Sequence, residues 1–127
     1  MDELPAPPGP PAPELRIVES RVYRGPNVWS YDPAVHLLVD LGILEHYPTS
    51  RLPGFTEALL DVLPGIGRHT CSRGHAGGFV ERMTEGTWLG HVCEHVALQL
   101  QQEAGHDMRR GKTRMVRGSE GRYNVIY

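Results

Sequence analysis

Between Leu15 and Tyr127 the apolar residues fall into short runs whose spacing predicts a mixture of strands and helices. Leu15, Ile17 and Val22 flank a polar-alternating stretch that predicts a first strand, and Arg24-Gly25-Pro26-Asn27 is a turn by composition. Ala34 to Leu41 is almost continuously apolar and predicts a second, well-buried strand, ended by Gly42. Pro53-Gly54 opens a helix in which Phe55, Leu59, Leu60 and Leu63 recur at helical spacing, until Pro64-Gly65 stops it. Residues 65 to 78 are glycine-rich and polar, and Phe79 to Met83 predicts a third strand. Thr84 or Thr87 is placed to cap a long helix that runs to about Ala104 and ends at Gly105. A basic loop follows (Arg109, Arg110, Lys112, Arg114, Arg117), and Arg122 to Tyr127 alternates as a last strand. This order predicts an α+β fold: a small mixed sheet packed with two main helices, in a single domain over 15–127.

Composition adds little to that picture but removes several functions from it. Six of the first thirteen residues are proline, so residues 1–14 are expected to form an extended, disordered lead. A chain of 127 residues holds one domain with a hydrophobic core, and 39% apolar with 22% charged residues fits a globular protein. The net charge of −2 argues against a general nucleic-acid binder. No apolar run approaches the roughly 20 residues needed to cross a bilayer. The acidic, proline-rich start does not read as an export signal. Cys71 and Cys93 do not make a disulfide framework, and a reducing, cytoplasmic setting is the simplest expectation.

The chemistry concentrates in the long helix. His91-Val92-Cys93-Glu94-His95 is an H-x-x-E-H pattern, the reverse of H-E-x-x-H, and both orders are zinc hydrolase signatures. Two imidazoles four positions apart share a helix face and can share one metal ion, with Glu94 between them as a proton acceptor. At about 100° per residue, Leu89, Val92, Val96 and Leu100 form the stripe that should face the core. His91, Glu94, His95 and Leu98 lie roughly opposite and would be an ordinary solvated face, except that Trp88 and Leu98 border it with large apolar groups. A tetrahedral zinc site with catalytic water needs a third protein ligand. His69, Cys71 and His75 in the glycine-rich segment and Glu85 at the helix approach are candidates, with His69 preferred. Cys93 reads as a small core residue, and nothing in the sequence pairs Cys71 with a histidine as a nucleophile. The basic loop reads as solvated, or as a holder of an acidic ligand.

Several segments, taken in order, resemble one family. They are Arg24 to Ser30, Leu52-Pro53-Gly54-Phe55, His69-Thr70-Cys71-Ser72 with Gly77-Gly78-Phe79, Glu85-Gly86-Thr87 running into Gly90 to Leu98, Gly111 to Arg114, and Tyr123-Asn124-Val125. Together they resemble the N-terminal domain of cyanophycin synthetase over about residues 15 to 127. Cyanophycin is a storage polymer with a poly-aspartate backbone whose side chains carry arginine. The resemblance implies ATP-grasp and Mur-ligase-like synthetase domains as partners in a longer protein. It also implies polymer binding and, in some members, metal-dependent cutting of polymer into short primers. On that resemblance Glu94 is the motif glutamate, and His91 and His95 are the motif histidines. The reading that follows is a zinc-dependent hydrolase with His91, His95 and His69 on the metal and Glu94 catalytic. Its alternative is a non-catalytic polymer-binding module. Glu81, Glu85, Trp29 and Trp88 are candidates to receive the polymer's guanidinium groups. With no G-x-x-x-x-G-K-[ST] phosphate loop, this stretch is not expected to make polymer by itself. No nucleic acid or membrane is expected as a partner, and a homo-oligomer is left open.

Overall fold

The computed structural model describes residues 15–106, 111–118 and 121–127. The proline-rich lead, residues 1–14, and the basic positions Arg109 and Arg110 lie outside the described residues. Four antiparallel strands form one sheet in the order β1-β2-β4-β3: β1 Arg16–Tyr23, β2 Ala34–Asp40, β3 Lys112–Met115 and β4 Arg122–Ile126. Three helices pack with it: α1 Phe55–Val62, α2 Gly78–Glu85 and α3 Leu89–Glu103. The α+β class therefore holds, with every strand pairing antiparallel and with one helix more than the spacing predicted.

Register explains which sheet face is covered. Leu37 pairs with Val125 and Val39 with Tyr123, so these side chains share a face with Leu41 and Tyr127 and pack toward the helices. There they join Leu63, Ile66, Phe79, Met83, Leu89 and Val92 in one core. The other face carries His36, bonded to Asn124 at 2.7 Å, and Asp40, which accepts from Arg16 and Arg122. β1 is an edge strand exposed on both faces, with only Tyr23 partly covered.

Three local expectations fail for identifiable reasons. Phe79 to Met83 is helical, within α2. As a strand it would set Glu81 on the same face as Phe79 and Met83; as a helix it leaves both of those at 0% exposure and turns Glu81 outward. The basic segment is not all loop, because Lys112–Met115 pairs with β4 as β3. Neither threonine caps α3. Its N-cap is Trp88, while Thr84 lies inside α2 and the Thr87 hydroxyl faces the His91 ring. α3 also departs from its predicted stripe: Leu89 and Val92 are buried, but Leu100 is 51% exposed.

Candidate metal centre

The first turns of α3 are buried on two opposite sides, and this makes the site. Leu89 and Val92 face the sheet core, while His95 at 5% exposure and Glu94 at 8% are covered from the other direction. Close backbone approach permits it. A Cβ on Gly90 would come within 2.9 Å of the Tyr123 ring, so the helix lies directly against β4. Leu98 is buried as expected, but Trp88 is 48% exposed and does not roof the motif.

The roof is the segment before α2. The His69 carbonyl accepts from Phe79 N–H at 3.1 Å, and the Thr70 carbonyl accepts from Arg73 N–H at 2.9 Å. Gly78 is tight against that turn, since a Cβ there would meet the Thr70 oxygen at 2.1 Å. Cys71 and Ser72 sit in the left-handed region at φ 48° and 65°. That conformation costs ordinary side chains on the order of 1–3 kcal/mol and recurs where geometry serves a site. Here it presents the Cys71 thiol to α3, with Sγ 3.3 Å from His91 Nε2.

Phe79 organises the imidazoles. Its ring stacks on His95 with centroids 3.8 Å apart and meets His91 edge-on at 5.3 Å. Thr87 Oγ1 lies 3.0 Å from His91 Nδ1. His95 Nδ1 lies 2.8 Å from His69 Nδ1, and His69 Nε2 lies 3.0 Å from Gln99 Oε1. Cys71 Sγ and one ring nitrogen each of His91 and His95 fall within 4.8 Å of one another, close enough for a single ion. Glu94 accepts from the Thr113 hydroxyl on β3 and packs on bare backbone at Gly111, where a Cβ would come within 2.7 Å of its Cγ.

Burial sets the protonation states. It pushes His91 down to about 4, helped by the Arg82 charge, and His95 down to about 3, helped by His91, His69 and Arg82. Both rings are therefore neutral near pH 7, with lone pairs to offer. Burial raises the Glu94 carboxyl, opposed by the Thr113 hydrogen bond, and raises the Cys71 thiol, opposed by the Arg82 charge. A thiol held above its ordinary 9.0 does not hand its proton to an imidazole at about 4, so Cys71 and His91 do not form a reactive ion pair. A cysteine that gives up its proton to solvent when a metal binds, together with two neutral imidazoles, is instead a donor set that would suit zinc.

Two clefts open on this group. One, of about 970 Å³, is lined by Arg68, His69, Cys71, His91, Glu94 and Lys112, among others. The second, of about 540 Å³, is bordered by Arg82, Thr87, Trp88 and Arg114, and shares His91 and Glu94 with the first. Of the residues singled out from sequence, His69, Cys71, His91, Glu94 and His95 come together here. His75 and Glu85 do not. They lie in an exposed network in which Arg73 bonds Glu85 at 2.7 Å and Glu81 at 3.3 Å, and His75 bonds Glu81 at 2.8 Å. Glu81 and Glu85 thus already hold a guanidinium of this chain, and Trp29 packs against His36 instead of lining either cleft. Phe79, Thr87, Gln99, Gly111 and Thr113 were not legible as site residues. Four of them, Phe79, Thr87, Gly111 and Thr113, fall in the family-like segments, but with no site role attached.

The family model of the cyanophycin synthase-like N-terminal domain matches residues 36–127, the greater part of the chain and all of the site. The chain belongs to this family. Cyanophycin synthetase of Geminocystis herdmanii is 41% identical over 115 residues, 89% of this chain and 13% of the relative. Those of a Synechocystis strain and of Crocosphaera subtropica are 43% and 41% identical over the same share of both chains. The chain thus spans only about 13% of the length of these cyanophycin synthetases. No described helix of this family member is long and apolar enough to cross a membrane.

Proposed function

We propose that this domain binds a cyanophycin-like aspartate-arginine polymer and hydrolyses it into short primers at a zinc site formed by His91, His95 and Cys71. The observation that carries the reading is the meeting of half-buried Cys71 and His91 with buried His95 beside Glu94, at the junction of two clefts. Cys71 takes the third position, for which His69 was the sequence-based choice, because Sγ stands against His91 Nε2 while both His69 nitrogens face other groups. Zinc held there would lower the pKa of a bound water toward about 7 and polarise an amide carbonyl.

The chain's own residues supply the rest. Glu94, raised by burial and steadied through Oε1 by Thr113, takes a proton from the attacking water and returns it to the leaving amine. Thr87 and Phe79 keep the His91 ring oriented. Each repeat of the substrate carries both guanidinium and acid chemistry, and the second cleft offers partners for both. Trp88 presents an exposed aromatic face, and Arg82 and Arg114 present positive charge. The ATP-grasp and Mur-ligase-like synthetase domains that the family resemblance implies are the natural partners, extending the primers released here.

The test is polymer length after incubation with the whole chain, with and without a chelator, alongside metal analysis. About one zinc per chain is expected, together with cleavage that stops on chelation. Glu94→Gln should lower cleavage by roughly 10²–10⁴-fold while zinc and fold persist. A metal-free protein that binds polymer and leaves it intact would overturn the hydrolase and leave a binding module.

A further inference from the structure

Gln99 is a buried amide on the inner side of α3, four residues beyond His95, and its surroundings leave it one orientation. Glu103 Oε2 lies 3.0 Å from Gln99 Nε2. A carboxylate only accepts, so the group facing Glu103 is the amide NH₂, and Oε1 must face His69. His69 Nε2, 3.0 Å from that oxygen, therefore carries a hydrogen and donates it. The remaining His69 nitrogen, Nδ1, lies 2.8 Å from His95 Nδ1, and one proton stands between them. A neutral imidazole carries a single hydrogen, and in His69 the Gln99 oxygen holds it on Nε2. So His69 Nδ1 accepts, and His95 Nδ1 donates.

We propose that Glu103, Gln99 and His69 form a hydrogen-bonded relay that fixes His95 as the Nδ1–H tautomer and leaves Nε2 as its metal-binding atom. His69 is then a positioning residue and not a ligand. The same device serves His91, whose Nδ1 is held by Thr87 and whose Nε2 faces Cys71. Outer hydrogen bonds of this kind orient ligating imidazoles, and their loss typically weakens metal affinity about 10–100-fold. The relay also has a built place: Gly65 lies so close to Gln99 that a Cβ would overlap its amide nitrogen at 2.1 Å. The amide fits only because residue 65 has no side chain.

The consequence for metal rests on the zinc reading, but the tautomer does not, and two measurements on the full chain separate them. Nitrogen-15 NMR of the metal-free chain near pH 7 should show His95 protonated at Nδ1. His69→Leu, and Gln99→Leu to a lesser degree, should bring in the Nε2–H form, whereas His69→Asn, which keeps an acceptor near the Nδ1 position, should retain much of the original state. Zinc titration by calorimetry should follow the same ranking, with a loss of about 10–100-fold in His69→Leu. An Nε2–H tautomer of His95 in the unaltered chain overturns the relay, even if zinc binds. So does an unchanged tautomer in folded His69→Leu and Gln99→Leu chains. The expected tautomer with no zinc binding leaves the relay standing and removes the zinc hydrolase.

Discussion

Gly111 matters to Glu94 because it has no side chain. A Cβ there would stand 2.7 Å from Glu94 Cγ and 2.8 Å from the Ile126 carbonyl oxygen, and the latter is backbone that cannot swing away. Gly111→Ala should therefore cost about 1–3 kcal/mol in urea unfolding, the usual range for overpacking, and should lower polymer cleavage by more than that loss of folded chain explains. Residues of this kind escape sequence reading. Thr113 and Thr87 each make one decisive hydrogen bond and Gln99 makes two, yet nothing in the periodicity or in the metal motif assigns them a role. His91, Glu94 and His95 were legible because two histidines at helical spacing carry a chemical meaning of their own. Cys71 was visible as a candidate, but its approach to His91 depends on a left-handed turn that no spacing announces.

At the level of elements, the strongly patterned pieces were read well. β1, β2, α1, α3 and β4 stand within a residue or two of their predicted spans. α2 was misread because five residues with apolar ends satisfy both periods, and only packing shows that Glu81 must leave the Phe79 face. α3 shows the reverse problem. Its apolar stripe predicts a single buried side, but segment 69–79 covers the polar side as well, so Leu98 is enclosed while Leu100 is half in solvent. Leu98→Ala should thus cost about 2–5 kcal/mol, and Leu100→Ala should stay within about 0.5 kcal/mol, by chemical denaturation. A larger cost at Leu100 than at Leu98 would mean that α3 is buried as its stripe predicts.

For the whole molecule, the buried imidazoles tie stability to pH. Unfolded, they take up protons below about pH 6.5; folded, His91 resists to about 4 and His95 to about 3. Across that interval the unfolded chain binds more protons, so stability is full above about 6.5 and falls as pH drops toward 3. Glu94, raised by burial, works the other way just above its ordinary 4.5 and softens the lower part of the decline. Cys93, pushed up to about 11, gives an alkaline limb: its unfolded thiol ionises first, and stability falls as pH rises from about 9. Urea midpoints from pH 4 to 10 should trace both limbs, with the acid limb shallower in His91→Asn.

Gly65 stands in the short 3-10 turn after α1 and lines neither cleft. Any side chain there pushes on the Gln99 amide, and through His69 the disturbance reaches His95. A genetic screen for lost polymer cleavage should therefore return Gly65 beside Glu94, although no substrate atom reaches it. On the proposed reading the functional footprint of this domain is larger than its cleft, and part of it consists of positions that work by leaving a space empty.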